Sequence, residues 1–158
     1  MRKLAMAIAA ASTVFAAPAF AQDATGEARV EVRGGGVFFE GTDEATVGVA
    51  AGYDFNLSDT LFVGAEVSAD KILLESTRVA FGFTGRAGVK AGDNAKLFAT
   101  GGYTTSILEG LDGNWHAGAG ASFDVTEKVY IKGEYRHYFE NDNALGSDAV
   151  VAGVGIKF

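Results

Sequence analysis

Arg78-Val79-Ala80-Phe81-Gly82-Phe83-Thr84-Gly85-Arg86-Ala87-Gly88-Val89-Lys90 divides into two sets when every second residue is taken. Val79, Phe81, Phe83, Gly85, Ala87 and Val89 make one face; Arg78, Ala80, Gly82, Thr84, Arg86, Gly88 and Lys90 make the other. Alternation at period two belongs to a strand, whose successive side chains point to opposite sides of a sheet. One side here is apolar, the other small or charged. Residues 46–55 repeat the pattern, with Val47, Val49, Ala51, Tyr53 and Phe55 against Thr46, Gly48, Ala50, Gly52 and Asp54.

Working outward, eight such segments follow Ala21: roughly 27–36, 45–55, 61–69, 78–90, 96–105, 115–124, 129–138 and 148–158. Each is near the ~9–11 residues that a tilted strand needs to cross a bilayer. The links alternate in length. Residues 56–60, 92–95 and 125–128 are tight turns, with Asn, Asp and Gly where φ is awkward, whereas 37–44, 70–77, 106–114 and 139–147 are longer. Short turns at one end and longer loops at the other predict an all-β fold, an eight-stranded antiparallel up-and-down transmembrane β-barrel with both termini on the short-turn side.

A soluble barrel would alternate in the same way with its apolar face inward. Three features favour lipid outside. The polar face is crowded with glycine (Gly48, Gly52, Gly64, Gly82, Gly88, Gly102, Gly118, Gly120, Gly153, Gly155), as suits an eight-stranded interior only wide enough for side chains to fill. Aromatics gather near strand ends on the apolar face: Phe55, Phe123 and Phe158 toward the turns, Trp115 and Tyr135 toward the loops, as in interfacial girdles. The last strand ends the chain on an aromatic, with Ile156 two residues and Gly153 five residues before Phe158.

The N-terminus reads separately. Arg2 and Lys3, the apolar run from Leu4 to Ala17, and Ala19-Phe20-Ala21 follow the order of a secretory signal peptide. Cleavage is expected after Ala21, with residues 22–158 forming the barrel domain. Removing Arg2 and Lys3 from the 13 basic residues leaves 11 against 20 acidic, a net charge of about −9 that argues against a nucleic-acid partner. There is no Cys, and the one Pro is Pro18; an export route that permits disulfides is not used for any. A chain free of Pro after Ala21 suits a sheet in which every strand has two neighbours.

The ending Val151-Ala152-Gly153-Val154-Gly155-Ile156-Lys157-Phe158 resembles the C-terminal signal by which the outer-membrane assembly machinery recognises its clients, with Gly153, Ile156 and Phe158 as the matching positions and Val151 where a polar residue is usual. Glu134-Tyr135-Arg136-His137-Tyr138 is similar to the Glu-Tyr-Arg-Tyr stretch near the end of small outer-membrane barrels. Over all eight strands the chain resembles the opacity-protein and OmpA-like transmembrane-domain (porin-like) type. That resemblance implies residence in the cell outer membrane, among its lipid and lipopolysaccharide.

Charges of both signs fall on the inward face: Glu27, Arg29, Glu31, Arg33, Glu66, Arg86, Lys90, Lys132, Glu134 and Arg136. A charge in a narrow lumen is costly unless paired, so a plugging ion-pair network is expected, centred on Glu31, Glu66, Arg86, Lys132, Glu134 and Arg136. The functional counterpart is a narrow channel for ions or small solutes. The long links are acidic, with Glu40, Asp43, Glu44, Asp70, Glu75, Glu109, Asp112, Glu140, Asp142 and Asp148 against Lys71 and Arg78. Their spacing is not that of a metal loop, so they read as a solvated rim.

His137-Tyr138 is similar to part of the His-Tyr-Ser-Asn run of lipid A deacylases, but Phe139 stands where the nucleophilic Ser would be. A base with no hydroxyl to activate argues against an enzyme. No phosphate loop or zinc spacing is present, so no cofactor is expected. The apolar band allows monomer and oligomer alike.

Overall fold

The computed structural model describes residues 26–39, 42–74, 77–106, 112–140 and 146–158. The expected signal segment, residues 1–21, lies outside them. Eight strands are present: β1 (Gly26–Phe39), β2 (Thr42–Asn56), β3 (Leu61–Ile72), β4 (Ala80–Ala91), β5 (Ala95–Thr104), β6 (Asn114–Asp124), β7 (Val129–Tyr138) and β8 (Ser147–Lys157). Each pairs antiparallel with its chain neighbours, and β1 pairs with β8 to close the barrel. Closure extends to the last residue, where Phe158 exchanges backbone bonds with Ala28 at 2.9 and 3.2 Å. A closed ladder leaves no unpaired strand edge, as a sheet in lipid requires.

The eight-strand expectation is met; the link between the first two strands is not. Residues 37–44 were expected to form a long link, yet β1 and β2 pair from Gly26 with Phe55 up to Phe39 with Thr42. Val37 and Phe39 continue the alternation that the preceding glycines obscure. Residues 70–72 likewise belong to β3 and not to a loop.

The tight turns are held by local chemistry. Ser58 Oγ accepts from the Thr60 and Leu61 amides at 3.3 and 3.0 Å, and Thr126 Oγ1 does the same for Lys128 and Val129 at 3.2 and 3.0 Å. Hydroxyl-to-backbone bonds of this kind stand in for a backbone turn. In the third turn Gly92 takes a φ of 75°, where a Cβ would be strained.

The faces sort as the alternation predicts. Phe81, Phe83, Trp115, Phe123, Ile131, Val150 and Val154 point outward and are about half exposed or more. Arg29, Glu31, Arg33, Asp54, Glu66, Arg86, Lys132, Glu134 and Arg136 point inward and are buried. This inverts a soluble barrel, and the outward face is matched to lipid. Tyr103 and Trp115 pack at 5.4 Å toward the loop end, and Tyr53 and Phe55 at 4.7 Å toward the turn end. These are the amphipathic rings that bilayer interfaces favour.

Candidate functional site: the charged lumen

The sequence places long charged residues on β1, β3 and β7, and the intervening strands make room for them. Across the ladders Arg29 faces Gly52, Glu31 faces Ala50 and Gly155, and Arg33 faces Gly48 and Gly153. Glu66 faces Gly52, and Lys132 faces Gly153. Strands β2 and β8 are thus small inside, so charged side chains from β1, β3 and β7 reach one another across the axis. Alternation of small and large residues is how a small barrel fills its interior.

Glu66 sits at the centre. Its carboxylate accepts from Arg29 Nη1 and Arg33 Nη1 at 2.8 Å each and from Arg136 Nη2 at 3.0 Å, with Lys132 Nζ at 3.5 Å. Glu31 pairs with Lys132 at 2.5 Å and accepts from the Tyr130 hydroxyl at 2.9 Å. Glu134 holds Arg136 Nε at 2.5 Å, lies 3.3 Å from Lys132 Nζ, and accepts from Thr100 Oγ1 at 3.1 Å. The side chains of Glu31 and Lys132 were 0% exposed, enclosed by their neighbours at this level.

Of the six residues singled out from sequence, five converge here and Arg86 does not. Arg86 forks onto Asp54, with Nε 2.7 Å from Oδ1, and lies between the rings of Phe62 and Phe98 at 5.2 and 4.9 Å. Arg29 Nε, 3.6 Å from Asp54, links this lower pair to the centre. Nearer the turns, Lys96 and Lys157 reach Glu27 at 2.6 and 3.2 Å, and Lys157 reaches Asp124 at 2.5 Å.

The expected central group leaves out Arg29 and Arg33, and the expected solvated rim takes in Asp70. Asp70 instead takes two bonds from Arg33, at 2.8 and 2.5 Å, and one from Ser68 at 2.9 Å. The signal was available: Gly64, Glu66, Ser68, Asp70 and Ile72 continue one inward set at period two. Altogether Arg29, Arg33, Arg86, Lys96, Lys132, Arg136 and Lys157 engage Glu27, Glu31, Asp54, Glu66, Asp70, Asp124 and Glu134, seven cations with seven carboxylates.

His116 is inward, with Thr84 Oγ1 3.0 Å from Nε2 and Thr104 Oγ1 3.2 Å from Nδ1. His137 is outward at the loop end: Nδ1 lies 2.8 Å from Asp148, which also accepts from the Tyr135 hydroxyl at 2.6 Å, while the ring packs edge-on against Phe139 at 5.0 Å. The carboxylate orients an imidazole, but the neighbour that would have to be a nucleophile is a phenyl ring. Among the described residues no cluster of His, Cys, Asp or Glu could hold a metal ion. Loop acids Glu40, Glu75, Glu109 and Asp142 lie outside those residues. At the C-terminus Gly153 faces the lumen, 3.5 Å from the Arg33 side chain when given a Cβ, and Ile156 and Phe158 face outward.

Known structures share this architecture. Neisserial surface protein A is 16% identical, with a TM-score of 0.56 over 84% of this chain and 97% of that one. Ail of Yersinia pestis, in complex with the heparin analogue sucrose octasulfate, is 15% identical with a TM-score of 0.58 over 85% and 99%. The outer membrane enzyme PagL is 15% identical with a TM-score of 0.50 over 81% and 98%. At such identities the likeness is one of fold alone, shared by an enzyme and by proteins not described as enzymes. No curated protein sequence matches the chain significantly. A family model described as the outer membrane protein beta-barrel domain matches residues 7–158, nearly the whole chain, and the protein therefore belongs to that family.

Proposed function

We propose that this protein is a structural and interaction component of the outer membrane, a barrel plugged by its own ion pairs that presents its loops at the cell surface. Residues 1–21 export it, and the assembly machinery reads Gly153, Ile156 and Phe158 before it takes its place among lipid and lipopolysaccharide. One observation carries the plug: at the level of Glu66 the lumen is filled by charges whose counterions are protein groups, with Glu31 and Lys132 fully enclosed. The protein is not an enzyme in this reading, since the imidazole oriented by Asp148 meets Phe139 and no hydroxyl nucleophile.

A narrow porin-like channel is the second reading, and one feature favours it. Arg29 Nε and Nη2 and Arg86 Nη1 are buried without a hydrogen bond among the described residues, so donors stand ready for pairs to exchange. A planar-bilayer recording on purified, refolded protein separates the two. The plug predicts a silent bilayer. Steady discrete conductance, altered by Glu66→Gln or Arg136→Gln, establishes the channel instead.

A further inference from the structure

The loop end of the lumen is built unlike the levels beneath it. Above the Arg33–Asp70 pair the inward side chains turn apolar: Val37, Ile72, Ala149 and Val151 are buried together, with Phe39 and Tyr138 packed against them. They wall a cup of about 140 Å³ whose floor is Arg33, Asp70 and Arg136.

The size and the floor together define a ligand. An apolar cavity of ~150 Å³ in a protein interior accepts benzene, so a cup of this volume suits a single ring or a short branched chain. On the floor, both Asp70 oxygens are held by Arg33, and the other carboxylate residue lining the cup, Asp112, has an interaction of its own. Arg136 is 2% exposed; its Nε and Nη2 donate to Glu134 and Glu66, and Nη1 donates to none of the described residues. Arg136 itself lines the cup, which places the guanidinium with the unused nitrogen at its floor. A guanidinium fixed by two carboxylates, with one donor nitrogen left over, is preorganised for one more oxygen acceptor.

We propose that the cup is a binding site for a small monoanionic amphiphile, its apolar body against Val37, Ile72 and Val151 and its carboxylate on Nη1 of Arg136. The packed charges below close the bottom, so the ligand is held at the surface end and does not pass through. The inference is independent of what the external loops bind.

The test is methyl NMR of the folded barrel in lipid nanodiscs, titrated separately with benzoate, benzyl alcohol and benzylamine. Benzoate is expected to give saturable shifts at Val37, Ile72 and Val151 and none at the lipid-facing Val32 and Val154. Benzyl alcohol should bind about tenfold more weakly, having lost the charge on the accepting oxygen, and benzylamine should give no saturable shift. Ala149→Phe fills the cup and should abolish saturation, its folding being checked by heat-dependent electrophoretic mobility. Should that variant fail to fold, the ranking of the three probes on the unaltered protein decides. Absence of saturation with benzoate up to its solubility limit overturns the site, as do equal shifts at Val32 and Val154. Benzylamine or benzyl alcohol binding as tightly as benzoate overturns the carboxylate assignment.

Discussion

Ala119 and Gly120 are consecutive in β6 and live under opposite rules. Ala119 points into lipid, where any apolar side chain of any length is accommodated because the surroundings are fluid. Gly120 points into the lumen, and a Cβ there would lie 2.5 Å from the Gly133 carbonyl oxygen and 2.8 Å from the Phe98 ring. The same contrast separates glycines on the two faces: a Cβ on outward Gly133 meets nothing within 4 Å, whereas one on Gly52 would come 2.8 Å from the Arg29 guanidinium. At these positions the inward glycine is space kept for a neighbour and the outward one is not. The inner face is specified by shape and charge together, the outer face by polarity alone.

The largest effect should come from the centre of the inner face. Glu66→Ala leaves Arg29, Arg33, Lys132 and Arg136 short of a shared counterion, and unpaired buried charge costs about 3–5 kcal/mol. Reversible denaturant unfolding in lipid, followed by the fluorescence of the single Trp115, should show the lowered midpoint; an unchanged midpoint would mean that water already serves these cations.

Next comes a charge on the other face. Ala119→Arg, near mid-strand, should cost about 2–4 kcal/mol, the expense of an arginine at the bilayer midplane. Little or no loss would place Ala119 near an interface or against another protein.

A smaller effect is expected from Gly120→Ala, about 1–3 kcal/mol through overpacking against the Gly133 carbonyl and the Phe98 ring. Combining it with Phe98→Leu should recover only part of the loss, because the Gly133 carbonyl stays in place, while Ala119→Leu by itself should be tolerated. If the two neighbouring positions respond alike, the contrast between the faces fails.

The smallest change runs the other way. Gly133→Ala should stabilise by about 0.5–1 kcal/mol, the backbone entropy that glycine gives up in a strand. Destabilisation there would indicate a body seated closely on that side of the barrel.

Much of this was legible in the residues. Period two assigned Glu66, Lys132, Glu134 and Arg136 inward and Phe83, Trp115 and Phe123 outward, because side-chain direction along a strand is a local property. Strand ends were harder. Gly34-Gly35-Gly36 hid the continuation of β1 to Phe39, since glycine contributes to neither face, and Asp70 read as rim because the acids beyond it do. The aromatics of the lower lumen, Phe62, Phe98 and Tyr130, interrupted an inward set that otherwise reads as small or charged. Their logic appears only across the ladders, where Gly120 and Gly155 stand opposite Phe98 and Tyr130.

By itself the sequence determined the strand count, the closed antiparallel barrel and the medium each face meets, all consequences of alternation and link length. Only the tertiary structure decided which cation meets which carboxylate. Arg86 and Glu66 share an inward face on neighbouring strands, yet Arg86 pairs with Asp54 while Glu66 gathers Arg29, Arg33 and Arg136. That choice depends on height along the barrel axis. Height is set by the stagger accumulated over eight ladders, which no stretch of local sequence contains.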